Sequence, residues 1–342
     1  MTRSGGTIRR LEQGLSMRSA IIASSLIVLL LSALLLPGCS GKPRSSGQRK
    51  IAGIVFQEDQ FFRLVLFGMR DAAGKNGAEL LEANSEGKPD REIQLINTYV
   101  ASGVDAIVVS PLSARASAMA LGRARAKGIT VVTYNTNVEG DIASAYLESD
   151  QTALGRTTGE AARAYIEKHL GGKAVVAILA FQSQAPEQST MRVNGFREEI
   201  TKLPGVKIVA EQDAWLSEQA VRRGGDLLTA HPDINILWGA NEGATVGSVM
   251  AVKNSGRAGR VVVFGTDTGD QIAGFLLSED GILQAVTGQQ PFELGSRAVQ
   301  SALGVLKGER VAVKQSLPGV LLSRTDPEAV KEFASRLKEL NR

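Results

Sequence analysis

A single cysteine, Cys39, stands in the 342 residues. One thiol excludes an internal disulfide, a paired-thiol redox motif and a thiolate metal cluster. Only two histidines occur, His169 and His231. His231 precedes Pro232 in a turn and reads as a helix-terminating residue. His169 closes a helix in IEKHLGGK, where an imidazole suits the negative end of the helix dipole. There is no G-x-S-x-G elbow, no G-x-x-x-x-G-K-S/T phosphate loop and no H-E-x-x-H zinc pair. Most nucleophilic and acid–base schemes therefore lack parts, and the chain reads as a non-enzyme needing no cofactor and no metal. Aromatics are scarce too, at 5%.

Positive charge is present but misplaced for a nucleic-acid binder. The whole chain carries +4. Residues 1–38 hold Arg3, Arg9, Arg10 and Arg18 against Glu12, and residues 39–50 add Lys42, Arg44, Arg49 and Lys50. The remainder is left at −3. A polyanion partner loses its electrostatic support, and no nucleic acid is expected.

The leader is readable. Arg18 precedes an apolar run of 17 residues, 20–36, that closes on Leu36-Pro37-Gly38-Cys39. This pattern reads as a signal peptide over residues 1–38, and Met17 is an alternative start. The closing tetrapeptide resembles the lipobox of bacterial lipoproteins, which implies lipidation at Cys39 and a membrane anchor. An uncleaved span is the competing reading, because 17 residues is the short limit for one. Residues 39–50, CSGKPRSSGQRK, have no apolar periodicity and read as a flexible tether.

From residue 50 the text alternates. Short β-branched runs fall at 51–56, 78–82, 106–110 and 130–134. They restart at 174–180, 206–211, 234–238, 261–265 and 282–286. Amphipathic stretches intervene, such as 62–76, 90–102, 114–126, 188–202, 217–229 and 245–254. Two such series imply an α/β chain of two doubly wound parallel-sheet lobes. Ligands meet such sheets at the carboxyl ends of the strands. Those ends carry Gln57 and Asp59 with Phe61-Phe62, then Asn135-Thr136, Trp215, Asn241-Glu242, Thr266-Asp267 and Gln289-Gln290. Adjacent helical positions lie about 100° apart, so Phe61 and Phe62 cannot both face one core. Phe62 packing the helix start alone is the plain alternative for that residue.

Several segments, in this order and spacing, resemble one family. They are Asp59-Gln60-Phe61-Phe62, Gly103-Val104-Asp105-Ala106-Ile107, Leu147-Glu148-Ser149-Asp150 and Arg192-Val193-Asn194-Gly195-Phe196. Leu228-Thr229-Ala230-His231-Pro232-Asp233, Gly239-Ala240-Asn241-Glu242 and Phe264-Gly265-Thr266-Asp267 continue the series. Over about residues 50–320 the chain resembles the periplasmic sugar-binding proteins of the ribose/galactose type, with the type I periplasmic-binding-protein fold. The resemblance implies lobes of 50–149 with 289–317 and 150–288 with 318–342, joined by three crossovers. It implies a monosaccharide or polyol held in the cleft by Asp59, Phe61, Phe62, Asn135, Arg192, Trp215, Asn241, Asp267 and Gln289. Aromatic rings suit the C–H faces of a sugar, and amides and carboxylates suit its hydroxyl rim. Trp238 and Glu242 are weaker candidates, and a surface ion pair is the alternative for Arg192. As guest-facing groups, Arg192 and Asp267 are expected to be removable with little loss of fold. The implied partners are an ABC permease and ATPase, and the implied form is an exported, lipid-anchored monomer.

The chain departs from the ribose type in reading Asp59-Gln60 for Asn-Pro and Asn135-Thr136 for Asp-Arg, so the sugar is not expected to be ribose. The acidic calcium loop of the galactose type is absent, since 181–190 reads FQSQAPEQST. A helix over 327–340 extends beyond the family pattern. Three other readings compete. A sensor subunit would present the guest to a receptor, a glycosidase would use Asp59 and Asp267, and a repressor would need a helix-turn-helix where the leader stands.

Overall fold

The computed structural model describes residues 47–340. The leader, Cys39 and residues 39–46 of the tether lie outside the described residues. In chain order the first elements are β1 (Lys50–Val55), α1 (Gln60–Lys75), β2 (Glu79–Asn84), α2 (Pro89–Ser102), β3 (Ala106–Val109), α3 (Ala114–Ala126), β4 (Thr130–Tyr134) and β5 (Ala145–Ser149). There follow α4 (Gln151–His169), β6 (Lys173–Ala180), α5 (Pro186–Ile200), β7 (Gly205–Asp213), α6 (Ser217–Ala230), β8 (Ile236–Gly239), α7 (Glu242–Asn254), β9 (Val262–Thr266) and α8 (Asp270–Leu277). The chain ends with β10 (Leu283–Gly288), α9 (Pro291–Leu306), β11 (Lys314–Leu317), β12 (Val320–Ser323) and α10 (Pro327–Leu340).

The strands form two six-stranded sheets, ordered β11-β5-β4-β3-β1-β2 and β12-β10-β9-β8-β6-β7. The first is parallel throughout. The second is parallel except that β12, at its edge, runs antiparallel to β10. The chain passes between the sheets after β5, after β10 and after β11. Arg49 and Lys50, read as tether, belong to the fold. Arg49 pairs with Asp105 at 2.7 Å, and the Lys50 N–H donates to the same carboxylate at 2.9 Å.

The central strands are almost wholly buried, as strands covered by helices on both faces must be. Each sheet carries apolar clusters built from residues after Gln48. Ile51, Met69 and Leu147 centre the first, and Leu179, Val249 and Val263 the second. From Gln48 onward the chain thus forms one unit with its own cores. Helix starts are fixed by side chains. Asp59, Asp150 and Asn241 accept from the backbone N–H three residues on, at 2.9, 2.8 and 3.0 Å.

Close helix packing decides where Arg192 sits. A methyl group at Gly195 would collide with the Thr152 carbonyl, and one at Gly155 with the Arg192 carbonyl. Glycine at both positions lets α4 and α5 touch backbone to backbone. That contact holds the middle of α5, and Arg192 with it, against α4.

Candidate binding cleft

A cavity of about 610 Å³ opens between the carboxyl ends of the two sheets. That volume suits a small molecule. From the first sheet, the β1–α1 turn supplies Asp59, Phe61 and Phe62, and the turn after β4 supplies Asn135. From the second come Arg192 on α5, Trp215 after β7, Asn241 after β8 and Asp267 after β9. Gln289 lies just past β10, where the chain crosses back. All nine residues expected at a site therefore line one cavity.

Their roles differ in physical detail. Phe61 is half-buried and meets Phe62 edge-on, with ring centroids 5.1 Å apart. Phe62 is 3% exposed and belongs to the first core, so the plain alternative accounts for most of its surface. Trp215 is 38% exposed and presents a free ring to the cavity. Asn241 caps α7 with its oxygen, while its amide donates to the Trp215 carbonyl at 3.1 Å, which holds that turn in place. Asn135 and Asp267 have positive φ, 61° and 70°. Asn and Asp tolerate this region better than most residues, and strain of this kind concentrates at functional sites.

Arg192 is the hub. It is 3% exposed, which rules out the surface ion pair. Its Nε donates to Gln151 at 2.6 Å, and its Nη1 to the Ala240 carbonyl at 3.0 Å and to Asp267 at 3.3 Å. The guanidinium also lies 5.1 Å from the Phe181 ring centroid. Asp267 accepts further from Gln289 at 2.9 Å and from the Glu242 N–H at 3.1 Å. This corrects the expectation that Arg192 is dispensable to the fold, because the guanidinium ties α4, the β8 end and the β9 turn together. It also removes the glycosidase reading of the Asp59 and Asp267 pair. One carboxylate holds an arginine framework, and the other caps α1 while accepting from Gln57.

Glu242, a weaker candidate in the sequence, joins the nine at the cavity. It opens α7, lines the cavity and is reached by solvent from it. The protein around it pushes its carboxyl up to about 7, first by desolvation and then by the charges of Asp267 and Asp59. Its strand-end position was the available signal. Gln60, Phe181, Gln188 and Gln271 also line the cavity. So does Phe333 on α10, for which the sequence carries no signal, because that helix continues past the last strand. Trp238 lies elsewhere, fully buried and stacked on Phe196 with centroids 4.2 Å apart. His231 ends α6, its N–H donating to the Leu227 carbonyl. Among the described residues no helix is long and apolar enough to cross a membrane, and no three His, Cys, Asp or Glu side chains gather to hold a metal.

Residues 54–310 match the periplasmic binding protein domain. The chain is 32% identical over 295 residues to the ABC transporter periplasmic-binding protein YphF of Escherichia coli, spanning 83% of this chain and 89% of that protein. It is 27% identical over 304 residues to the ribose import binding protein RbsB of Bacillus subtilis, spanning 85% and 96%. A carbohydrate transporter solute binding protein from Agrobacterium radiobacter, solved in complex with D-arabinose, superimposes with a TM-score of 0.70 at 26% identity. The match covers 84% of this chain and 99% of that one. A periplasmic ribose ABC transporter protein from Conexibacter woesei gives 0.74 at 20% identity, over 85% and 96%, and shares the fold.

Proposed function

Because the chain belongs to the periplasmic binding protein domain family, we propose that it captures one monosaccharide or related polyol between its lobes and delivers it to an ABC permease and its ATPase. It is an exported binding protein of the ABC import type and not an enzyme. The observation that carries the sugar reading is the composition of this cleft. Phe61 on one side and Trp215 on the other offer flat apolar faces, while Asn135, Asp267 and Gln289 offer a polar rim. A sugar ring presents the matching surfaces, C–H faces and a hydroxyl edge.

Residues 50–149 with 289–317 act as one lobe and 150–288 with 318–342 as the other, closing about the three crossovers. A bridging guest contacts both lobes only when they are together, so binding favours the closed form that a permease reads. Residues 1–38 serve as signal peptide, Cys39 carries the lipid, and the protein works as a tethered monomer.

A thermal-shift screen of residues 41–342 against monosaccharides and polyols tests the reading. A guest at 100 times its Kd adds about 2.7 kcal/mol of stability. A panel that leaves the melting temperature unmoved throughout contradicts it.

A further inference from the structure

The cleft holds more negative charge than its own cations answer. Four ionisable side chains line it, Asp59, Glu242, Asp267 and Arg192. Arg192 is the sole cation among them, and it lies against Asp267 at 3.3 Å. That pairing leaves Asp59 and Glu242 facing the cavity without an opposite charge. Asp59 takes two neutral donors, the Phe62 N–H and the Gln57 amide. Among the described residues no group donates a hydrogen bond to the Glu242 carboxylate.

The two carboxylates come from opposite sheets, one after β1 and the other after β8, so closing the lobes over a guest presses both against it. They are near enough to act on each other, since the charge of Asp59 helps to hold Glu242 protonated. A neutral guest that excludes water would leave Asp59 as an unpaired charge beside a Glu242 forced to keep its proton, and unpaired buried charge is costly. A guest with one ammonium group supplies several N–H donors and the missing charge, and charge-assisted hydrogen bonds are the stronger kind. The rings already present suit such a guest as well. Phe61 and Trp215 attract a cation through their faces while still covering C–H surface.

We propose that the natural guest of this cleft is a sugar or polyol bearing an ammonium group, read by Glu242 and Asp59. This rests on the reading of the cleft as a sugar site and adds the charge of the guest to it.

Calorimetric titration of residues 41–342 at neutral pH with matched pairs tests it. The pairs are D-glucose and D-glucosamine, D-galactose and D-galactosamine, D-mannose and D-mannosamine, and D-sorbitol and D-glucamine. In at least one pair the aminated member should bind about 10- to 100-fold tighter than its neutral parent. That advantage should shrink to about threefold or less in Glu242→Gln and in Asp59→Asn, both of which keep the side-chain size. Neutral members binding as tightly as their aminated partners overturn the proposal and leave the sugar reading intact. An advantage that survives both substitutions also overturns it. If no member of any pair binds, the proposal falls, and the broader thermal-shift screen of monosaccharides and polyols decides the sugar reading by itself.

Discussion

Replacing Arg192 with alanine should unsettle the fold as well as the cleft. The guanidinium is 3% exposed and donates to Gln151, the Ala240 carbonyl and Asp267 at 2.6, 3.0 and 3.3 Å. Alanine leaves the Gln151 oxygen and the Ala240 carbonyl without donors and Asp267 without its cation. Each hydrogen bond to a charged group contributes about 1.5–3 kcal/mol. Two effects reduce the sum. Water can enter from the cleft, and Asp267 keeps Gln289 and the Glu242 N–H. A net loss of about 2–4 kcal/mol results. For a chain of this size that lowers the melting temperature by roughly 3–6 °C. Scanning calorimetry of residues 41–342 reads it directly. Arg192→Lys should fall between parent and alanine, since an ammonium reaches the site but cannot fork to three partners. An alanine variant melting within about 1 °C of the parent would refute the framework role.

Trp215→Ala should weaken ligand binding about 10-fold or more with little change in melting temperature, because the ring is 38% exposed and braces no core. Arg223→Ala, on the exposed face of α6, should leave both quantities at parental values in the same titration. Glu242→Gln should alter the pH dependence of stability. The folded protein holds this proton up to about 7, whereas an unfolded glutamate releases it near 4.5, so parental stability falls as pH rises through that window. The glutamine variant lacks this loss, and its relative gain should appear above neutrality and vanish at about pH 4 in urea titrations. A difference constant with pH would count against the assignment. Cys39→Ser should abolish labelling by a fatty-acid probe while export continues, and equal labelling of variant and parent would remove the lipid anchor.

Much of the fold is legible in the sequence because the central strands are buried on both faces and spell apolar or β-branched runs, as Ala106–Val109 and Thr130–Tyr134 do. The edges are not. β11 reads KQSL and β12 reads VLLS, four residues each and partly exposed, so neither carries a buried run. The site residues are legible because strand carboxyl ends converge on one side of each sheet. Their division of labour is not, since Arg192 meets partners 41 and 48 residues away whose identity only the packing of α4 and α5 decides.

On the proposed function, the cavity between the two sheets is where a sugar-like guest is held. A crystal structure of residues 41–342 grown with the tightest-binding compound of the paired titration tests it most directly. One guest ring should lie between Phe61 and Trp215, with its polar edge toward Arg192, Asp267 and Gln289. A guest bound outside that cavity, or one touching residues of a single sheet only, would contradict it.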